Sequence, residues 1–318
     1  TGPTYAMLKV LKAAVQRADG TQVSTADLVA RRYEEITGNI VVSAPTSGNH
    51  GRALAWGAQT FGCRAVLYMN DGVSTGREAD IAAYGGQVVR VSGAYEDVVQ
   101  RLHTDAAAQG HIIVGDGGTR DYPDVPRHIM QGYALVADEL LEQTRDAPLT
   151  HLFVPGGGGI LAAACCAHLW DRLGARRPKV VVVEPEASRC LQASAMAVHA
   201  VQVAAATSVM DGLVVEKPSA EAWPLLAEGA YAFLTVSDNA AVEAMRAAAT
   251  PANGEPALVI GDTGSAAWAG FVTASQDHTM RQQLGLDEHS RVAFLATENA
   301  TDPLVYRELT GMDPATVG

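Results

Sequence analysis

The sequence predicts an α/β protein with two largely parallel sheets, and three observations carry that prediction. Among eight short apolar runs, many are rich in Val and Ile and lack the alternation of a half-exposed strand, so they read as strands buried on both faces. Longer stretches of helical pattern lie between them, as parallel crossovers require. A turn-rich segment, Asp121-Tyr-Pro-Asp-Val-Pro126, divides the runs four and four. The length of 318 residues, at roughly 150 residues per domain, agrees with two domains.

The candidate strands, in order, are residues 40–43, 65–69, 87–91 and 111–114, then 151–154, 180–183, 232–236 and 292–296. Candidate helices are 49–61, 95–108, 127–143, 160–173 and 239–249. Ser237 and Asp238 precede the last of these and read as N-cap material. The expected domains are a small α/β domain over 1–125 and a larger one over 126–318. A cleft between two such lobes is a common place for a small-molecule ligand.

Composition excludes several classes. Hydrophobic residues make up 48% and charged residues 18%, which argues for a packed core and against disorder. With 23 basic and 35 acidic side chains the net charge is −12, so a phosphate-backbone-binding surface is not expected. No run reaches about 18 apolar residues, and no signal-peptide pattern opens the chain. Neither a membrane span nor a membrane partner is expected. Cys63, Cys165, Cys166 and Cys190 form no C-x-x-C pair; in a chain this long they suggest a reducing, cytoplasmic setting. Cys165 and Cys166 read as small apolar helix residues. Without an H-E-x-x-H motif and with scattered histidines, no metal site is expected.

Two loops carry the chemistry. Pro155-Gly156-Gly157-Gly158-Gly159 follows a strand and precedes an apolar helix. Glycines let the backbone turn sharply and bring N–H groups to one ligand, and the helix N-terminus favours an anion. The dinucleotide pattern fails at Leu161, and no Gly-Lys-Ser/Thr follows, so the loop suits a single phosphate group. Pro45-Thr46-Ser47-Gly48-Asn49-His50-Gly51 sets hydroxyls, an amide and glycines at a strand's C-terminal end, where α/β ligand sites lie. Its hydroxyls equally suit a helix cap.

Ser47-Gly-Asn-His-Gly-Arg-Ala-Leu-Ala-Trp56, followed about a hundred residues on by Gly156–Gly159, resembles the fold-type II pyridoxal-phosphate enzymes, the tryptophan synthase β-like family. Within it the sequence is most similar to the 2,3-diaminopropionate ammonia-lyases. Ile129-Met-Gln-Gly-Tyr133, Ala137-Asp-Glu139, Val183-Glu-Pro185, Thr207-Ser-Val-Met-Asp-Gly-Leu213 and Ala296-Thr-Glu-Asn299 with Thr301-Asp302 continue the likeness in order. The resemblance implies two α/β domains with pyridoxal 5′-phosphate in the cleft between them, and a homodimer. It implies that Asn49 hydrogen-bonds the cofactor's phenolic oxygen, that Gly156, Gly157, Gly158 and Gly159 hold its phosphate, and that the Gly212 backbone lies beside its ring. Thr297 matches a neutral hydroxyl at the pyridine nitrogen, which suits β-elimination because charge leaves with the leaving group.

Two departures bear on substrate. The subfamily commonly has Asp directly before Gly-Asn-His-Gly, associated with the α-proton of a D-configured substrate; here Ser47 stands there. A serine hydroxyl is a weak general base near neutral pH, and Ser47 resembles the proton-moving serine of the dehydratases. Asp116 matches a second subfamily aspartate, linked to the L-isomer and to leaving-group chemistry, with Tyr122 at the expected distance. The intervening Gly117-Gly-Thr-Arg-Asp121 lacks the subfamily's aromatic residue. Glu184, Asp262 and Glu298 are further carboxylates at strand or loop ends, not ranked by sequence.

The family needs a lysine to hold the cofactor as a Schiff base. Thr1-Gly-Pro-Thr-Tyr-Ala6 resembles the end of its Phe-Lys-x-x-Gly-Gly-x-Tyr-Ala motif, which puts that lysine two positions before Thr1. In this register part of the larger domain is also expected ahead of Thr1. Lys9 is the alternative, although Lys9 and Lys12 suit a helix whose buried stripe is Leu8, Leu11 and Val15. The expected reaction is elimination from a small amino acid, with 2,3-diaminopropionate first, giving a 2-oxo acid and ammonia. Serine or threonine dehydration and β-replacement of the cysteine-synthase kind are the alternatives.

Overall fold

The computed structural model describes residues 1–93, 95–115, 119–252 and 254–317. The chain divides into two compact units, Thr1–Gly132 and Tyr133–Gly318. Each is built on a four-stranded, all-parallel sheet.

In the first unit the strands are β1 (Val41–Pro45), β2 (Arg64–Asn70), β3 (Gln87–Val91) and β4 (Ile112–Ile113), in the order β3-β2-β1-β4. Its helices begin with α1 (Gly2–Asp19), α2 (Thr25–Val29), α3 (Glu34–Thr37) and α4 (Asn49–Phe61). They continue with α5 (Thr75–Ala82), α6 (Tyr95–Gln109) and α7 (Val125–Gln143), which runs on into the second unit. Val98, Leu102 and Ala106, one stripe of α6, bury against Tyr68 and Ile113 of the sheet. Gly57 lets α1 and α4 approach closely: a Cβ there would fall 3.1 Å from the Met7 sulfur and the Thr4 methyl. In α1 the buried stripe runs through Ala6, Met7, Val10, Leu11 and Val15; Leu8 is half-buried, and Lys9 faces solvent.

The second unit has β5 (His151–Pro155), β6 (Lys179–Pro185), β7 (Ala232–Val236) and β8 (Val292–Phe294), in the order β7-β6-β5-β8. Its helices are α8 (Ile160–Leu173), α9 (Cys190–Ala197), α10 (Trp223–Gly229) and α11 (Asp238–Ala249), then α12 (Ala266–Gln276), α13 (His278–Leu284) and α14 (Pro303–Thr310). Phe153, Val181 and Val183 meet Ala266, Ala267, Ala269 and Ala274 in its core. Burying each of these larger side chains contributes roughly 1.5–3 kcal/mol. Gly270 of α12 lies on Val183, where a Cβ would come within 2.6 Å of a valine methyl, so the helix seats on the sheet through a glycine.

Six of the eight strands follow the apolar runs closely, and β4 and β8, two of the four edge strands, are shorter than the sequence predicts. Residues 111–114 yield only Ile112–Ile113, and 292–296 only Val292–Phe294. Edge position alone does not account for this, since the other two edge strands, Gln87–Val91 and Ala232–Val236, keep their predicted length. Single bonds still extend both β4 and β8: the Val114 N–H donates to Ser43 and the Leu295 N–H to Phe153. The Ser237 hydroxyl caps α11 by accepting from the Ala240 N–H. Asp238 does other work: its carboxylate accepts from the Ser208 hydroxyl and the Val209 N–H, anchoring the strand-free segment before Gly212.

Candidate active site

The four glycines turn the chain from β5 into α8. Gly157 and Gly159 sit at φ +56° and +91°, in the left-handed region that glycine enters without Cβ strain. The Gly156 N–H donates to Val183 of the neighbouring strand, and the Gly158 carbonyl accepts from the Ser219 N–H, so both sides of the turn are tied down. Among the described residues the N–H groups of Gly157 and Gly158 meet no acceptor. A Cβ at Gly158 would meet nothing within 4 Å. Fixed, unpaired N–H groups ahead of the 14-residue helix α8 form an anion cradle.

Around this loop the second unit brings other expected positions together. The Gly212 carbonyl lies against Gly157, 3.6 Å from where a Cβ would be. The Gly212 N–H donates to the Thr263 hydroxyl at 3.2 Å. That hydroxyl donates to Asp262 Oδ1, which also accepts from the Thr263 N–H. Glu298 Oε1 accepts from the same N–H at 2.9 Å. Thr297, after β8, is exposed; its backbone lies against Gly264, whose Cβ would come 3.2 Å from the Thr297 nitrogen. The glycine loop, Gly212 and the 261–265 turn beside Thr297 therefore form one contiguous region.

In the first unit Thr46, not Ser47, caps α4. Its buried hydroxyl accepts from the Gly48 N–H at 3.0 Å and the Gly51 N–H at 2.9 Å. Gly48 adopts φ +148°, and the Arg77 side chain fills the space beside it. Arg77, itself buried, donates to the Ser47 carbonyl at 3.2 Å. His50 is engaged with the Val114 carbonyl at 2.7 Å. The half-buried Ser47 hydroxyl has no hydrogen-bond partner among the described residues, and Asn49 opens α4. Asp116 lies outside the described residues. The Tyr122 hydroxyl accepts from Arg17, whose guanidinium also stands over the ring. Thr46, Arg77 and Thr263 had no singular signature in the sequence. The hydroxyl two residues before Gly48 was the one available cue, and it pointed to a cap without saying which of two hydroxyls makes it.

Burial sets the titration of several groups. Glu184, at the end of β6, is fully buried, and desolvation pushes it up to about 7 despite hydrogen bonds from the Leu191 and Gln192 N–H groups. Burial likewise pushes the Cys165 and Cys190 thiols up to about 12 and Cys166 to about 11. Such thiols stay protonated and are poor nucleophiles or metal ligands. Among the described residues no cluster of three or more His, Cys, Asp or Glu side chains could hold a metal ion, and no helix is long and apolar enough to cross a membrane.

Two parallel sheets with a strand–tetraglycine–helix anion cradle are the frame of a fold-type II cofactor enzyme, and the chain belongs to the pyridoxal-phosphate dependent enzyme family, whose model matches residues 19–298. It is 30% identical to the diaminopropionate ammonia-lyase of Salmonella typhimurium over 97% of this chain and 78% of that protein. It is 32% identical to the Escherichia coli enzyme of that name over 83% of this chain and 68% of that one. The crystal structure of Escherichia coli diaminopropionate ammonia lyase in complex with an aminoacrylate-PLP azomethine intermediate superposes with a TM-score of 0.85. It is 27% identical, covering 97% of this chain and 77% of that one. The residues present fit the family's cofactor. The open space over Gly158 and the unpaired N–H groups of Gly157 and Gly158 match one phosphate group, with no side chain in the way.

Proposed function

We propose that this protein is a pyridoxal-phosphate-dependent ammonia-lyase acting on 2,3-diaminopropionate, with water converting it to pyruvate and two molecules of ammonia. The single observation that carries the reading is the tetraglycine cradle with its unpaired N–H groups, in a chain similar along nearly its whole length to diaminopropionate ammonia-lyases. When bound, pyridoxal phosphate supplies the electron sink for the α-carbon. The protein's part is positioning. Gly156–Gly159 hold the phosphate, the Gly212 backbone supports the ring, Thr297 offers a neutral hydroxyl at the pyridine nitrogen, and Asn49 binds the phenolic oxygen. Asp116 and Ser47 are the proposed proton-handling groups near the substrate. The four free cysteines favour a cytoplasmic setting, and the family resemblance favours a homodimer.

A serine or threonine dehydratase is the second reading, favoured by Ser47 in place of a carboxylate and by its unengaged hydroxyl. The test is 2-oxo-acid formation by the full-length protein from L- and D-2,3-diaminopropionate, serine and threonine. Turnover of diaminopropionate above the hydroxy amino acids is expected. Turnover of serine with silence on both diaminopropionate isomers would overturn the first reading in favour of the second.

A further inference from the structure

Glu184 stands immediately beside the anion cradle, although the role assigned to the glycine loop makes no use of it. β6 runs parallel to β5 with Pro155 opposite Val183, which sets Glu184 next to Gly156. A Cβ at Gly156 would fall 2.7 Å from the Glu184 Cγ, so the first glycine of the loop rests on this side chain. The carboxylate turns to α9: one oxygen accepts from the Leu191 N–H and the other from the Gln192 N–H, both at 2.8 Å. The first turn of α9 in turn lies beneath the loop. The Cys190 thiol donates to the Gly157 carbonyl at 3.7 Å, and the Leu191 methyls would come 3.2 Å from a Cβ at Gly156 or Gly159.

The electrostatics of this arrangement are unbalanced. Glu184 is fully buried, and among the described residues no basic side chain faces it. The one titratable side chain acting on it is the Cys190 thiol from α9; β7 presents Thr235 in register, and the loop presents glycines. Two N–H groups, helped by the Cys190 thiol, therefore carry the compensation of a buried negative charge, beside a cradle shaped for a second negative group. A phosphate monoester is largely dianionic above pH about 6. Two such charges in a poorly solvated region repel, and protonating one of them removes the repulsion.

We propose that Glu184 is a positioning residue of the phosphate loop that takes up a proton when a phosphate group binds there. Ionised, it braces α9 and the loop in the free protein; protonated, it keeps the brace without a negative charge beside the ligand. Desolvation already holds Glu184 near 7 in the free protein, so the uptake falls in an accessible pH range. The inference rests on the reading of Gly156–Gly159 as the cofactor's phosphate site.

The experiment is calorimetric titration of the full-length, cofactor-free protein with 4′-deoxypyridoxine 5′-phosphate, which lacks the aldehyde and forms no lysine adduct. Titrations at pH 6 and 8, in buffers of differing ionisation enthalpy, count the protons taken up. The wild-type protein is expected to take up close to one proton more than Glu184→Gln at pH 8, and the difference should vanish at pH 6. Its affinity relative to the variant should fall about tenfold per pH unit above 7. Infrared difference spectra of the wild-type protein give a readout independent of the variant's folding. A carboxylic-acid C=O band should appear on adding the ligand at pH 8. Binding with equal proton uptake in both proteins, or with no such band, would overturn the inference and leave the cofactor site intact. Failure of the ligand to bind at all would overturn the cofactor reading and this inference with it.

Discussion

The Thr263 hydroxyl accepts a hydrogen bond from the Gly212 N–H across 51 residues of sequence and donates one to Asp262, so the backbone proposed to lie beside the cofactor ring is held by one buried threonine. Thr263→Val keeps the shape and removes both bonds. A lost hydrogen bond with a donor left behind costs about 1–3 kcal/mol. The variant is expected to melt at lower temperature and to bind pyridoxal phosphate at least about fivefold more weakly, while Thr263→Ser retains both properties. Thermal unfolding and equilibrium cofactor titration check this pair.

Gly158 and Gly159 are expected to fail in different ways. Gly158 is open on its side-chain face, so Gly158→Ala should fold normally and intrude on the cradle, weakening cofactor affinity with little change in melting temperature. Gly159 sits at φ +91°, and a Cβ there would come 2.8 Å from a Leu226 methyl. Gly159→Ala should lose roughly 1–3 kcal/mol of stability whether or not cofactor is present. Melting curves of the two variants with and without cofactor separate the effects.

Glu184 makes the free protein less stable as pH rises. Its carboxyl lies at about 7 in the folded chain against 4.5 when unconstrained, so between those values the folded state binds more protons than the unfolded one. Stability therefore falls from pH 4.5 to about 7 and is flat beyond, by ~3 kcal/mol in this one contribution. Glu184→Gln should flatten the slope over that window, even though its amide leaves one α9 N–H facing a second donor. Denaturant unfolding of cofactor-free protein at several pH values measures the slope directly.

Ser47 can be changed without disturbing its loop, because Thr46 and Arg77 supply the bonds that hold it. Ser47→Ala is expected to leave the bound cofactor's absorption unchanged and lower kcat by about a hundredfold or more, the scale of a lost proton-transfer group. Ser47→Asp restores the carboxylate that the related ammonia-lyases commonly carry, and turnover of D-2,3-diaminopropionate should rise. Steady-state kinetics on both isomers distinguish these outcomes from a spectator serine, for which Ser47→Ala would run at the wild-type rate.

The sheets were legible because their central strands bury both faces, which leaves unbroken runs such as Val180-Val-Val-Val183. Residues 111–114 and 292–296 were overestimated because an apolar run does not reveal over how many residues a neighbouring strand will ladder with it. α12 escaped notice for a related reason: Ala266–Gln276 buries most of its circumference and shows no period. Among the site residues, the glycine loop could be read since only glycine serves its φ values. Glu184 was named but not ranked, because the difference between a solvated strand-end carboxylate and a buried one lies in what packs on it, here the first turn of α9. Thr46 bonds backbone groups only two and five residues on, where two adjacent hydroxyls were equal candidates, while no side-chain pattern announces the Thr263 bond to a backbone group 51 residues away.

The proposed activity is tested most directly by counting products from L-2,3-diaminopropionate with the full-length holoprotein. Ammonia and pyruvate should appear together in a two-to-one ratio, with no added nucleophile. Product that forms only when sulfide or an amine is supplied, or no product from this substrate while serine yields pyruvate, would contradict the account.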